Sequence, residues 1–241
     1  MATKLGTAYS VNTWRTRYAL KYKGLAFATV WLELPDVERE LRAAGAPPSG
    51  TWPDGRPKYT VPTIFDPATA RHVTDAHAIA RYLDATYGGD RPALFPRGTA
   101  GVQRVFVDAL YERVATPAFP TVFEAFFKEL FSEPTQVYFR ATREKFFGRA
   151  LEEMWEDKAA IEKAWEGLKA GLDWVEATIR ENGEEAVYLL GNAPVNADFA
   201  IASLFQWYRR ASPARWEEVK ALNGGRWVRF MESMRQYEEE R

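Results

Sequence analysis

The stretch KYTVPTIFD, residues 58–66, places a proline at the mouth of an apolar strand. Val61 to Phe65 carries the β-formers, yet Pro62 has no N–H to give to a ladder. Two placements fit. The residue can sit at a sheet edge, or it can follow a cis peptide bond in a tight turn. A cis link would turn the N–H and C=O of Val61 outward. An extended, peptide-like ligand would then pair with them as it would with a sheet edge.

On the upstream side, Val11, Trp14, Tyr18, Tyr22 and Leu25 are separated by three or four residues, which predicts an amphipathic helix stopped by Gly24. The segment AFATVWLEL, residues 26–34, predicts a strand. Weak helical signal follows over Asp36 to Ala44. GAPPSGTWPDGRPKY, residues 45–59, holds four prolines and three glycines and reads as a loop. Downstream, TVPTIFDPATARHVTD (60–75) predicts two short strands around a turn at Asp66-Pro67. Ala76, Ile79, Ala80, Leu83 and Tyr87 then mark a helix ended by Gly88 and Gly89. From Gly98 to Arg241 the period is helical, most clearly at Ile161, Trp165, Leu168, Leu172, Val175 and Ile179. These patterns divide the chain into an α/β domain over residues 1–90 and an all-helical domain over 97–241.

Composition narrows the chemistry. Hydrophobic residues make up 46% of the 241, enough for a sizeable core. The net charge of −1 gives no general reason to expect a nucleic-acid partner. No apolar run is long enough to span a membrane, and MATKLGTAYSVNTWR has no signal-peptide core, so a cytoplasmic location is expected. Cysteine is absent, which excludes disulfides, thiolate metal sites and protein-borne thiol chemistry. Two histidines, His72 and His77, are too few for a His-rich metal site, and no metal is expected.

The order of elements, with Pro62 before a strand pair and Asp75 opening a helix, resembles the glutathione transferases. VPTIFD…HVTDAHAIARYLDATYG is similar to the family's proline–strand–strand–helix stretch. Across nearly the whole chain the closer resemblance is to the fungal etherase-like class (fungal-specific class A). It is carried by NTWRTRYALKYKGLAF, PDGRPKYTVPTIFDP, YFRATREKFFGRALEE and GGRW. The resemblance implies a thioredoxin-like first domain, a helical second domain, a homodimer, and glutathione as the borrowed thiol. A free thiol is only a few per cent ionised at neutral pH, so such a site must stabilise the anion.

Ser10 precedes the first helix, and the resemblance gives it the thiolate contact, although a serine there also simply caps a helix. The family's S-P-N-T-W reads SVNTW here, with Val11 in place of proline. Asn12 and Thr13 are secondary candidates, and Tyr9 is a weaker one by analogy with tyrosine-type members. Val61 and Pro62 would hold the glutathione backbone. Asp75 and Ala76 stand at the family's acid–serine pair for the γ-glutamyl end. Ala76 lacks the hydroxyl, a loss of about 1.5–3 kcal/mol if nothing replaces it. Lys58, and less so Arg56, would meet the glycyl carboxylate. In NAPVNADFAIASLFQW, Asp198 is read as a structural cap with Asn196 as its substitute. Phe119, Phe123, Phe126, Phe127, Phe131, Tyr138 and Phe139 suggest either an acceptor pocket or, the commoner outcome at helical spacing, core.

One departure stands out. The family carries a central strand before the Ser10 motif, and MATKLGTAY offers no run of β-formers. The expectation is a first domain lacking that strand, destabilised and weakly catalytic; one cooperative unfolding transition in a monodisperse sample would count against it. Two functions follow. One is a transferase joining glutathione to hydrophobic aromatic electrophiles, with peroxide reduction or ether cleavage as family possibilities. The other is a ligandin-type protein that binds aromatic ligands without turnover.

Overall fold

A computed structural model describes residues 8–238. The first periodic stretch forms helix α1 (Val11–Tyr22). Gly24 takes φ 63°, its N–H bonds to the Lys21 carbonyl and that of Leu25 to the Leu20 carbonyl, so a left-handed residue closes the helix.

The strand expected over 26–34 is not formed among the described residues. A strand needs a neighbour about 4.8 Å away. Residues 25–32 and strand β3 (Thr63–Asp66) instead both line a cleft of about 680 Å³, together with Thr13, Thr16 and Leu20 of α1. The β-formers serve packing: the Arg17 guanidinium lies 5.1 Å from the Phe27 ring and 5.9 Å from Trp31, and donates to Thr29 Oγ1 at 2.7 Å. The expected lack of a strand before Ser10 concerns MATKLGTAY, of which residues 1–7 lie outside the described residues.

A short 3₁₀ turn (Leu34–Asp36) leads into α2 (Val37–Ala43). The segment read as plain loop contains a small hairpin, β1 (Gly50–Thr51) against β2 (Pro57–Lys58). Its turn is local chemistry: Gly55 has φ 84°, its N–H bonds to the Trp52 carbonyl at 2.9 Å, and Trp52 N–H bonds to Arg56 at 2.8 Å. β3 then pairs antiparallel with β4 (Arg71–Thr74), Thr63 opposite Thr74 and Asp66 opposite Arg71, and α3 (Ala76–Thr86) follows.

The rest is helical: α4 (Ala100–Leu110), α5 (Thr116–Ala125), α6 (Glu133–Phe147), α7 (Leu151–Glu156), α8 (Lys158–Arg180), α9 (Asn196–Ala211), α10 (Pro213–Ala221) and α11 (Arg226–Met234). π-helical turns at Tyr111–Ala115 and Phe126–Leu130 follow α4 and α5. The first is accommodated by Gly171 of α8, where a Cβ would stand 2.2 Å from the Arg113 carbonyl oxygen.

Helix α1 lies on α9 and joins the two parts of the chain. The Tyr18 ring stacks on Phe199 at 5.8 Å, and Gln206 donates to the Tyr18 hydroxyl at 2.6 Å. Lys23, 1% exposed, pairs with Asp84 at 2.9 Å, and Asp84 also accepts from the N–H groups of Leu94 and Phe95. The buried cation is thereby compensated and the connecting loop is tied down. Phe123, Phe126, Phe131 and Phe139 are buried in the core, Phe119 and Phe127 pack against it half-buried, and Tyr138 is exposed.

Asp198 is fully buried and accepts from the N–H groups of Leu189 and Val195, each at 2.8 Å. Asn196 does not act as the substitute cap: Val195 is the N-cap residue, and Asn196 Oδ1 instead accepts from Arg15 Nε at 3.1 Å. The Val195 side chain has no polar atom, so Asp198 alone supplies the cap. Burial pushes its carboxyl up to about 7, against the pull of the two N–H groups. The folded protein then holds this proton while the unfolded chain releases it near pH 4, so stability falls as pH rises from about 4 through 7. Asp198→Asn is expected to remove that slope, which is on the order of a few kcal/mol; thermal unfolding of both proteins between pH 4.5 and 8 measures it.

Candidate functional site

Two indoles fix the backbone before α1. Trp14 Nε1 donates to the Ala8 carbonyl at 2.9 Å and Trp207 Nε1 donates to the Tyr9 carbonyl at 3.0 Å. Ser10 follows as the N-cap of α1, with φ −72° and ψ 128°. Its Oγ accepts from Thr13 N–H at 3.5 Å, a long and weak bond. The hydroxyl is half-buried, and the first N–H groups of α1 have no intrahelical partners. Together they can face an anion.

Asn12 on the first turn accepts from the Tyr111 hydroxyl at 2.5 Å. Thr13 Oγ1 is buried without a hydrogen-bond partner among the described residues. The Tyr9 ring packs on Phe131 at 4.9 Å and Phe126 at 6.0 Å, and burial drives its hydroxyl well above the usual range. It is a core ring.

The peptide bond between Val61 and Pro62 is cis. Among the described residues, the Val61 N–H and C=O have no main-chain partner, while the Pro62 carbonyl accepts from Asp75 N–H at 3.2 Å. That bond sets the Val61-Pro62 backbone against the head of α3. Asp75 holds φ 84° and ψ 132°, a region that non-glycine residues rarely occupy at a cost of about 1–3 kcal/mol. Its Oδ1 accepts from His77 N–H at 2.9 Å and Ala78 N–H at 3.0 Å. Ala76 is 2% exposed, and its N–H is one that Asp75 leaves uncapped. Lys58 Nζ lies 4.7 Å from the Trp52 ring, and exposed Arg56 is engaged by Asp54 at 2.8 Å.

Sequence reasoning missed Arg15, Trp207 and Tyr111. Arg15 is 4% exposed, and among the described residues its Nη2 has no hydrogen-bond partner. Trp207 and Tyr111 lie far along the chain from the residues they touch, and no local pattern signals such contacts. Among the described residues no group of three or more His, Cys, Asp or Glu could hold a metal.

Comparison with known proteins accords with this geometry. Residues 9–86 match the glutathione S-transferase N-terminal domain and residues 101–237 the C-terminal domain. Glutathione transferase GSTFuA3 from Phanerochaete chrysosporium is 38% identical with a TM-score of 0.91, covering 98% of this chain and 93% of that one. The glutathione S-transferase CsGST63524 of Ceriporiopsis subvermispora, solved in complex with glutathione, is 33% identical with a TM-score of 0.91, covering 97% and 93%. The glutathione S-transferase-like protein ustS of Aspergillus flavus is 28% identical over 90% of this chain and 80% of its own length.

Proposed function

The chain belongs to the glutathione S-transferase family, and on that premise we propose that it binds glutathione along Val61-Pro62 and directs the thiolate, from Ser10, at hydrophobic aromatic electrophiles. The observation that carries this is the bond from Asp75 N–H to the Pro62 carbonyl at 3.2 Å. It brings a length of main chain, unpaired among the described residues, beside a helix head that bears a carboxylate. The cysteinyl backbone of glutathione pairs with the Val61 N–H and C=O. Asp75 attracts the γ-glutamyl ammonium, and the Ala76 N–H at the start of α3 attracts its carboxylate. Lys58 serves the glycyl carboxylate at the cost of leaving Trp52.

The Ser10 hydroxyl and the first N–H groups of α1 donate to the sulfur, which favours the anion over the thiol. The thiol proton leaves to solvent. The sulfur pair forms a bond to the electrophilic carbon, and the leaving group departs with the electrons of the broken bond. Peroxide reduction and ether cleavage use the same activated sulfur.

A second reading, binding without turnover, is favoured by Ala76, which lacks the hydroxyl of the family's acid–serine pair. Exposed Phe65, Val102 and Val105, on both halves of the chain, suit a homodimer that covers them. Calorimetric titration with glutathione, followed by turnover of an electrophilic aromatic compound, separates the readings. Binding with conjugation supports the first; binding without any conjugation supports the second; no binding ends the first. Restoring the missing hydroxyl is a gain-of-function check: Ala76→Ser is expected to tighten glutathione binding by about tenfold, the value of one hydrogen bond to a charged group.

A further inference from the structure

The hydrogen bond between the Tyr111 hydroxyl and Asn12 Oδ1, 2.5 Å long, joins residues 99 apart in sequence. The Tyr111 hydroxyl is the donor and the Asn12 amide oxygen the acceptor. Asn12 must therefore turn its carbonyl oxygen to Tyr111, and its NH₂ takes the other branch. Among the described residues that NH₂ has no protein partner, and it is not a buried orphan. Asn12 and Arg15, three apart, share one face of α1. Arg15 is held in turn by Asn196 Oδ1 at 3.1 Å and has no carboxylate partner among the described residues. Tyr111 opens the π-helical turn after α4, a backbone irregularity of the kind that re-aims a side chain.

We propose that Tyr111 is a positioning residue: it fixes the flip of the Asn12 amide so that Nδ2 is presented beside Ser10 as a further donor to the glutathione sulfur. The inference rests on the thiolate reading of Ser10 and adds to it a residue from the helical half of the chain. Without the hydroxyl, the amide is free to turn its oxygen, a repelling acceptor, toward the anion.

The test is the pH titration of bound glutathione, followed by the ultraviolet absorbance of its thiolate. In the unaltered protein the bound thiol is expected to ionise below the ordinary value of about 8.5. Tyr111→Phe, which keeps the ring, is expected to raise that value by about half a unit to one unit, a three- to tenfold change, with little change in glutathione affinity. Asn12→Ala raises it by at least as much. The double variant Asn12→Ala/Tyr111→Phe is expected to match Asn12→Ala alone, because Tyr111 acts through the amide. Asn12→Asp, which keeps the acceptor for Tyr111 and loses the donor, gives a rise with Tyr111 intact. Two results overturn the positioning role while leaving the thiolate reading in place: a Tyr111→Phe titration identical to the unaltered protein, or shifts that add in full in the double variant. A bound thiol that ionises at its free value in the unaltered protein removes both.

Discussion

Ser10→Ala is expected to lower kcat/KM for an electrophilic aromatic acceptor by about a hundredfold at pH 6.5, with glutathione affinity nearly unchanged. In the proposed mechanism the hydroxyl is a pre-placed donor to the thiolate, and removing one such donor costs about 10²–10³ in rate. The loss should shrink as pH rises and the thiol ionises without help, so the pH profile of the variant shifts upward. Its folding role is separable: the cap bond to Thr13 is 3.5 Å long, and losing a cap costs about 1 kcal/mol. Steady-state kinetics from pH 6 to 9 beside a thermal unfolding scan distinguish the two roles. Turnover unchanged at every pH would remove Ser10 from the mechanism.

Gly171→Ala is expected to be the most damaging single-methyl change in the helical half. A Cβ there would sit 2.2 Å from the Arg113 carbonyl oxygen, 2.9 Å from its carbon and 3.0 Å from Val114 Cγ2. Two of these are backbone atoms that have no rotamer to change, so α8 must separate from the π-helical turn. Leu168, Leu172 and Val175 are buried on the same helix, so the separation would loosen their packing. The cost is expected to exceed about 4 kcal/mol, lowering Tm by roughly 10 °C or more. Gly101→Ala is the control. It lies in α4 with nothing within 4 Å of the added carbon, and should be neutral or slightly stabilising. Equal effects at the two positions, read by calorimetry, would contradict the close approach. Since the turn begins at Tyr111, the damage at Gly171 should also loosen the Asn12 contact.

The residues that were legible in sequence are those governed by local rules. Gly24 ends α1 because the helix period stops there and only glycine sits easily at φ 63°. Ile161 to Ile179 gives α8 because one face is apolar at every turn. Pro62 marked a break in the backbone, found as a cis peptide bond, because proline at a strand mouth has few placements. The family itself was readable from element order and four stretches of sequence. Residues 26–34 were misread because β-formers describe a fit to neighbours, and here Phe27 and Trp31 pack on Arg17 without a ladder among the described residues. The hairpin at 50–58 was hidden by the prolines around it, although Asp54-Gly55 carried its turn signal. Asn196 looked like a cap by type and position, but the buried Arg15 needed its oxygen more than the helix did. Tyr111 could not be found at all: neither the π-helical turn that aims it nor its partner 99 residues earlier leaves a periodic trace.

The most direct measurement is a crystal structure with glutathione bound. The account expects the cysteinyl N–H and C=O paired with those of Val61, the γ-glutamyl group at the head of α3 beside Asp75, and the sulfur within hydrogen-bond distance of the Ser10 hydroxyl. Glutathione seated elsewhere, or its sulfur turned away from Ser10 with Val61 left unpaired, would contradict it.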